Sequence, residues 1–258
     1  MFIGQRHIIR EVEILIPSGD NVNLLLLGQT GQGKTLLGFK IAHYTGQLFG
    51  YKIADNNDEF YNIIFRESEH YRTIFIDEIH RLGYDVERLY ELMDRRRNFF
   101  IFATNRPQEL PEAFRSRVIE LLFAKYSKEE LREITRCYLA INVADELLDM
   151  IIQAAEENPR RINQFCIRIG SIIRITGGTL TKGTLKNIIV QYFNIVDGMN
   201  SMEREYLSLL ERIGTASLQT LTSSLGINKE TIQTEIEPQL LFKGRIKITS
   251  KGREICRT

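Results

Sequence analysis

Gly28-Gln29-Thr30-Gly31-Gln32-Gly33-Lys34-Thr35 has the spacing G-x-x-x-x-G-K-[ST]. Glycines at those positions let the backbone wrap until its N–H groups, reinforced by a helix dipole, point at phosphate oxygens. Lys34 would neutralise the β and γ phosphates, and Thr35 would offer its hydroxyl to Mg²⁺. Gln29, Thr30, Gly31, Gln32, Gly33 and Leu36 complete the nucleotide-contacting set. A second segment, Thr73-Ile74-Phe75-Ile76-Asp77-Glu78, is an apolar run ending in two carboxylates. Asp77 suits the outer shell of the metal, and Glu78 suits a base that orients and polarises the attacking water. A site that only binds needs the first carboxylate and not the second, so the two motifs together point to hydrolysis of Mg-ATP.

Three further residues extend the constellation. Asn105 ends the run Ala103-Thr104-Asn105, where it could hydrogen-bond the same water or the γ phosphate. Ala113-Phe114-Arg115-Ser116-Arg117 lies just ahead of the last core strand. An arginine there is far from its own phosphates but could reach those of a neighbour in a ring; Arg117 is preferred to Arg115. Asn158-Pro159-Arg160-Arg161 opens a helix, and a cation in a first helical turn faces the dipole unfavourably. Arg160 therefore suggests another partner, such as a bound phosphate.

These side chains need a scaffold. Five apolar runs (22–27, 51–54, 73–76, 99–103 and 118–123) alternate with helical stretches, which predicts a doubly wound α/β fold with a parallel five-stranded sheet. From Ser127 onward the pattern is helical. Ser127-Lys128-Glu129-Glu130 is a capping box, and further helices are expected over 145–156, 160–175 and 182–193. After Asp197-Gly198, Ser201, Ser217 and Asn228 stand as N-caps of three short helices. An apolar/basic hairpin follows over 242–253, the order of a winged helix. The division expected is 1–124 for the P-loop ATPase domain, 125–197 for an all-helical lid and 198–258 for the winged helix.

Composition bounds the rest. The 258 residues are 43% hydrophobic and 26% charged, and 34 basic against 33 acidic side chains leave a net charge of +1. Any nucleic-acid surface must then be local. No apolar run is long enough to cross a bilayer, and no signal peptide opens the chain, so no membrane partner is expected. Cys137, Cys166 and Cys256 are too few and too scattered for a disulfide frame or a zinc cage, which fits reducing cytoplasm. Cys137 and Cys166 are expected in the core. His80 has no second metal ligand at helical spacing.

The order P-loop, Asp-Glu strand, Asn-ended strand, trans arginine and lid arginine resembles the AAA+ ATPases. In detail it resembles the RuvB-type bacterial Holliday-junction branch-migration motors. The likeness is carried by Phe2-Ile3-Gly4-Gln5, Phe75-Ile76-Asp77-Glu78-Ile79-His80-Arg81-Leu82, Phe114-Arg115-Ser116-Arg117 and Tyr126-Ser127-Lys128-Glu129-Glu130-Leu131. It continues through Asn158-Pro159-Arg160-Arg161-Ile162, Glu237-Pro238-Gln239-Leu240-Leu241 and Thr249-Ser250-Lys251-Gly252-Arg253. The resemblance implies ATP and Mg²⁺, a hexameric homo-oligomeric ring, and a winged helix that touches DNA backbone. It also implies an adenine pocket lined by Tyr126, Pro159 and the Ile3-Gly4 backbone. Two departures stand out. The chain starts almost at Ile3-Gly4-Gln5, so a different nucleotide affinity or base selectivity is expected. Gly83 to Asn98, read as mostly one helix, replaces a longer stretch whose hairpin docks RuvA in the family, so a partner protein other than RuvA is expected.

Six basic residues (Lys243, Arg245, Lys247, Lys251, Arg253, Arg257) and one acid, Glu254, lie between Pro238 and Thr258. A basic hairpin can follow a phosphate backbone without reading sequence. Arg245, Lys247, Lys251 and Arg253 are the DNA candidates, and a solvated or protein-docking tail is the alternative. Arg95-Arg96-Arg97 either faces a pore or pairs acids across a subunit boundary. The leading expectation is an ATP-driven motor that translocates duplex or junction DNA. The rivals are an ATP-dependent switch or loader that recruits a helicase or recombinase, and a protein-remodelling ring.

Overall fold

The computed structural model describes residues 2–16, 22–44 and 49–256; Arg257 of the basic tail lies outside them. Packing divides the chain into two compact units, residues 1–172 and 173–258, and neither expected boundary, at 124/125 or at 197/198, coincides with that division. Among the described residues, no helix is long and apolar enough to cross a membrane.

The first unit is built on a parallel sheet of five strands: β1 (Leu24–Leu27), β2 (Phe49–Ile53), β3 (Thr73–Asp77), β4 (Phe99–Thr104) and β5 (Ile119–Leu122). The spatial order is β2-β3-β4-β1-β5. The inner strands β1, β3 and β4 are buried along their whole length, which is why they read as unbroken apolar runs rather than as alternating ones. Register places Leu27 of β1 beside Thr104 of β4, and Ile76 of β3 beside Phe102. The carboxyl ends of β1, β3 and β4 therefore share one edge, where open α/β sheets bind ligands.

One apolar layer covers each face. On one side α1 (Arg6–Leu15) and α2 (Lys34–Tyr44) pack through Ile8, Val12, Leu37 and Ile41. Gly38 lets α2 approach the sheet closely, since a Cβ there would come within 2.5 Å of the Phe75 ring. On the other side α3 (Asp58–His70) and the segment after β3 bury Phe60, Ile64, Ile79, Leu82, Val86 and Leu89. That segment corrects an expectation. Residues 83–98 are not mostly one helix: 3₁₀ turns run over Ile79–Leu89, broken at Gly83 (φ 52°, ψ −129°), and only Tyr90–Asp94 (α4) is α-helical. Ile79, Leu82, Val86 and Leu89 are spaced as on one face of an α-helix, but the non-helical Gly83 interrupts the winding and the turns around it close as 3₁₀. A short α5 (Glu112–Arg115) leads into β5.

Three helices complete this unit: α6 (Lys128–Leu139), α7 (Asp145–Ala154) and α8 (Pro159–Thr176), the last running past its nominal edge. The expected capping box on α6 is complete, with the Ser127 hydroxyl accepting from Glu130 N–H and the Glu130 carboxylate accepting from Ser127 N–H.

The second unit holds α9 (Lys182–Phe193), α10 (Ser201–Ile213), α11 (Leu218–Leu225), α12 (Lys229–Thr231) and α13 (Glu237–Phe242). The cap of α10 is Asn200 rather than Ser201, in a second capping box with Glu203. Between α12 and α13, Ile232–Ile236 winds as a π turn. Pro238 has no N–H and its ring crowds the carbonyl four residues back, and the wider turn accommodates it. The expected hairpin is β7 (Ile246–Thr249) and β8 (Gly252–Ile255), and a two-residue β6 (Thr215–Ala216) makes a third strand in the order β6-β8-β7. Gly252 (φ 137°) is required there, because a Cβ would lie 2.4 Å from the Ala216 carbonyl oxygen.

Candidate functional site

The loop after β1 has the conformation its glycines permit. Gly31 and Gly33 lie at φ 87° and 92°, in the left-handed region that glycine occupies without cost. Gln32 braces the turn by accepting the N–H of Gln29 on its side-chain oxygen at 2.8 Å. Lys34 starts α2 and is buried. Its ammonium donates to the carbonyls of Gly28 (2.8 Å) and Gln29 (2.9 Å), which holds the charge inside the curl of the loop. Burial pushes the Lys34 pKa down, and the carboxylates of Glu78 and Asp77 pull it back up. The local field is thus already arranged for anionic oxygens between a cation and a helix N-terminus.

Opposite stands the acidic end of β3. Thr35 donates its hydroxyl to Asp77 Oδ2 at 2.6 Å, and Asp77 Oδ1 accepts the N–H of Glu78 at 2.9 Å. Glu78 sits at φ 54°, a left-handed conformation unusual for a side-chain-bearing residue, which swings its carboxylate off the strand axis. A hydroxyl and a carboxylate oxygen in contact, both facing the cleft, form a hard oxygen donor pair that fits Mg²⁺. His80 Nδ1 lies 3.5 Å from Glu78 Oε2 and 3.0 Å from Thr104 Oγ1.

A cleft of about 310 Å³ joins these groups to the helical part of the same unit. Of the nucleotide-contacting residues expected from sequence, Ile3, Thr30, Gly31, Gly33, Lys34, Thr35, Leu36, Tyr126, Pro159 and Arg160 line it, with Asp77 and Glu78. Gly4, Gln29 and Gln32 stand behind that lining. Gly4 (φ 78°) lets the chain pass the Tyr126 ring, which a Cβ would meet at 2.8 Å. The Tyr126 hydroxyl donates to the Gln32 carbonyl at 2.7 Å, and burial raises its pKa to about 12, so it stays a donor at any physiological pH.

Sequence reasoning missed part of the wall. Phe2, Ile134, Cys137, Tyr138 and Asn163 also line the cleft. Cys137 is exposed, which corrects its expected place in the core; Cys166 is buried, and its thiol is pushed up to about 12. From sequence Asn158 reads only as a helix opener. Its Oδ1 accepts the N–H groups of Arg160 and Arg161, while its Nδ2 donates to the Thr30 carbonyl at 2.9 Å. One side chain thus caps α8 and ties it to the P-loop. The signal was an Asn at a helix start, but only the tertiary fold reveals the second bond.

Asn105 and the arginines are placed differently. Asn105 Nδ2 donates to Thr30 Oγ1 at 2.9 Å, while its buried Oδ1 has no partner among the described residues. An acceptor of that kind calls for a water. Arg115 is paired with Glu120. Arg117 lies away from the cleft lining: Nε donates to Asp94 at 3.1 Å, the guanidinium stacks 4.3 Å from the Tyr90 ring centroid, and Nη1 donates to the Ala113 carbonyl.

The basic tail is less available than its charge suggests. Arg253 is committed to Glu237 (2.7 and 3.3 Å), which is itself buried and also accepts from the Tyr206 hydroxyl. With its side chain 15% exposed, Arg253 is engaged by Glu237 within the fold. Lys243 donates to buried Glu203 at 2.7 Å, and Lys247 pairs with Glu254 at 3.2 Å while remaining exposed. Arg245 and Lys251 are exposed.

Comparison with known proteins places these features. Residues 24–126 match the ATPase family associated with various cellular activities (AAA), and residues 196–258 match the RuvB C-terminal winged helix domain. The chain is 30% identical to a Holliday junction branch migration complex subunit RuvB from Mycoplasmopsis synoviae, over 98% of this chain and 92% of that one. It is 28% identical to the same subunit from Kosmotoga olearia, over 98% and 84%. The solved Thermotoga maritima RuvB Holliday junction branch migration motor is similar in structure, with TM-score 0.82 at 26% identity over 99% and 93% of the two chains.

Proposed function

Because this chain belongs to the RuvB family of AAA ATPases, we propose that it works as a ring of identical subunits, hexameric in number, that moves DNA strands at four-way junctions at the expense of ATP. The observation that carries the reading is the convergence of the P-loop, the Asp77-Glu78 strand end and the start of α8 on one cleft, in a chain similar to RuvB along nearly its whole length. We read residues 1–124, 125–197 and 198–258 as ATPase, lid and DNA-facing parts, acting in the cytoplasm.

In this mechanism the backbone of Gln29 to Thr35 cradles the triphosphate, and Lys34 exchanges its two loop carbonyls for phosphate oxygens. Ile3, Tyr126 and Pro159 take the adenine end. Thr35 and Asp77 would hold Mg²⁺, which supplies charge neutralisation on the phosphate oxygens when bound. Glu78 accepts a proton from the attacking water as its oxygen bonds to the γ phosphorus, and the bond to the ADP oxygen breaks. Asn105 Oδ1, buried and unpaired among the described residues, orients that water. Arg160, in the first turn of α8, links lid position to the phosphates. Arg117 leaves Asp94 to serve the γ phosphate of the adjacent subunit.

On DNA, Arg245, Lys247 and Lys251 form the backbone-contacting set. The short turns over 79–94 support a partner other than RuvA. The test is the ATPase rate with and without duplex, forked and four-way DNA at two salt concentrations. Stimulation that is largest with the junction and weakens with salt supports the motor. Slow turnover that no DNA changes, with junctions left in place, would favour a switch or loader.

A further inference from the structure

His80 is 11% exposed, lies three residues beyond Asp77, and approaches Glu78 and the neighbouring strand with a single ring nitrogen. Nδ1 is 3.0 Å from Thr104 Oγ1 and 3.5 Å from Glu78 Oε2. Thr104 is fully buried, and its hydroxyl oxygen already accepts the N–H of Arg106 at 2.9 Å. That hydroxyl therefore has one proton to give and one remaining lone pair.

The ring is held neutral at physiological pH. Burial is the main cause, with Arg106 and Arg81 acting in the same direction and Glu78 and Glu109 opposing it. A neutral imidazole carries one N–H, so Nδ1 is either a donor or an acceptor. As a donor it hydrogen-bonds Thr104 Oγ1 and turns the positive end of its N–H toward the Glu78 carboxylate 3.5 Å away, which draws the carboxylate toward β4. As an acceptor it spends its one in-plane lone pair on the Thr104 hydroxyl, and that nitrogen then has no N–H to offer Glu78, which leaves the carboxylate free to rotate.

We propose that His80 is a positioning residue for Glu78, coupling the direction of that carboxylate to the Thr104 hydroxyl at the end of β4. The same strand end carries Asn105, whose amide contacts Thr30 of the P-loop. Through Thr104 and His80, a shift of that strand end reaches the base without either residue touching the nucleotide. The inference rests on the reading of Glu78 as the base.

The test is steady-state ATP hydrolysis by the full chain with four-way DNA, alongside binding of an unhydrolysable ATP analogue. His80→Leu is expected to lower kcat about 10²-fold, the size of effect that a small misplacement of a catalytic group produces, with KM and analogue binding unchanged. His80→Asn puts an amide N–H where Nδ1 stands and should restore most of the rate. Thr104→Val should lower kcat as His80→Leu does, Thr104→Ser should not, and the Leu/Val double variant should be no slower than the slower single one. Full kcat in His80→Leu, a His80→Asn as slow as His80→Leu, or a raised KM at unchanged kcat would each overturn the proposal. If His80→Leu does not fold, the His80→Asn and Thr104 pairs decide by the same criteria. Normal turnover in Glu78→Gln would instead remove the base assignment, whereas a slow Glu78→Gln beside a full-speed His80→Leu removes only the positioning role.

Discussion

The nucleotide cleft and the basic end of the winged-helix unit are both charged regions, yet they use charge in opposite ways. In the cleft, Lys34, Asp77, Glu78 and Arg160 line one cavity; the Lys34 ammonium bonds the loop's own carbonyls, and Asp77 accepts from the Thr35 hydroxyl and the Glu78 N–H. In the winged-helix unit, Arg253 and Lys243 supply the cations for two buried carboxylates, Glu237 and Glu203. A buried acid without its cation is costly, so these pairs hold the fold together rather than greet a ligand. The lesson is that a run of like charges in sequence says little until each charge's partner is known.

Arg117 sharpens that contrast most, because it is paired in the single subunit and proposed to work across a boundary. Arg117→Ala should lower kcat by about 10³-fold. Mixing it with Lys34→Ala subunits should restore part of the activity, since some sites would then combine an intact loop with an intact arginine. No recovery at any mixing ratio would place Arg117 back among structural ion pairs with Asp94.

Glu78→Gln comes next. It should bind ATP as the native chain does and hydrolyse it at least about 10²-fold more slowly, read by single-turnover hydrolysis. Near-normal turnover would take Glu78 out of the chemistry.

In the other region, Arg253→Met should destabilise the winged-helix unit by about 3 kcal/mol by stranding Glu237, seen as a lower midpoint in urea. Arg245→Ala and Lys251→Ala should leave that midpoint alone. Each should instead reduce the slope of log DNA affinity against log salt by about one. If Arg253→Met changed only the salt slope, the two regions would not differ as argued.

Two smaller effects probe the cleft and its helices. Cys137 should react with a maleimide and be protected by Mg-ATP, while Cys166 stays unlabelled until the chain unfolds; equal labelling with and without nucleotide would detach α6 from the site. Asp149, held by Arg132 and Lys128, has its pKa lowered to about 2. A lowered carboxylate pKa means that the stabilisation is present above the ordinary value of 3.8 and is lost as pH falls toward 2. An Asp149 carboxyl titrating near 3.8 by NMR would contradict that pairing.

Much of the catalytic region was legible because its signals are local. Glycines at fixed offsets, a buried run ending in Asp-Glu, and Ser127 three residues before Glu130 each specify a backbone shape from neighbouring residues alone. What escaped depends on distant partners. Asn158 reads as a helix start, and its bond to Thr30 spans 128 positions. Arg253 reads as part of a basic wing, and only the fold brings it to Glu237 and Tyr206. The 83–98 segment misled for another reason: its apolar residues fit a helix, but Gly83 interrupts the winding and 3₁₀ turns run to Leu89 before the short α4.

The central claim is that ATP cleavage at this cleft moves DNA. It is tested most directly by following a fluorescently labelled four-way junction with Mg-ATP and the native chain, with Glu78→Gln in parallel. The account predicts strand exchange to completion by the native chain and none by Glu78→Gln. Rapid ATP hydrolysis by the native chain with the junction left unmoved would contradict it.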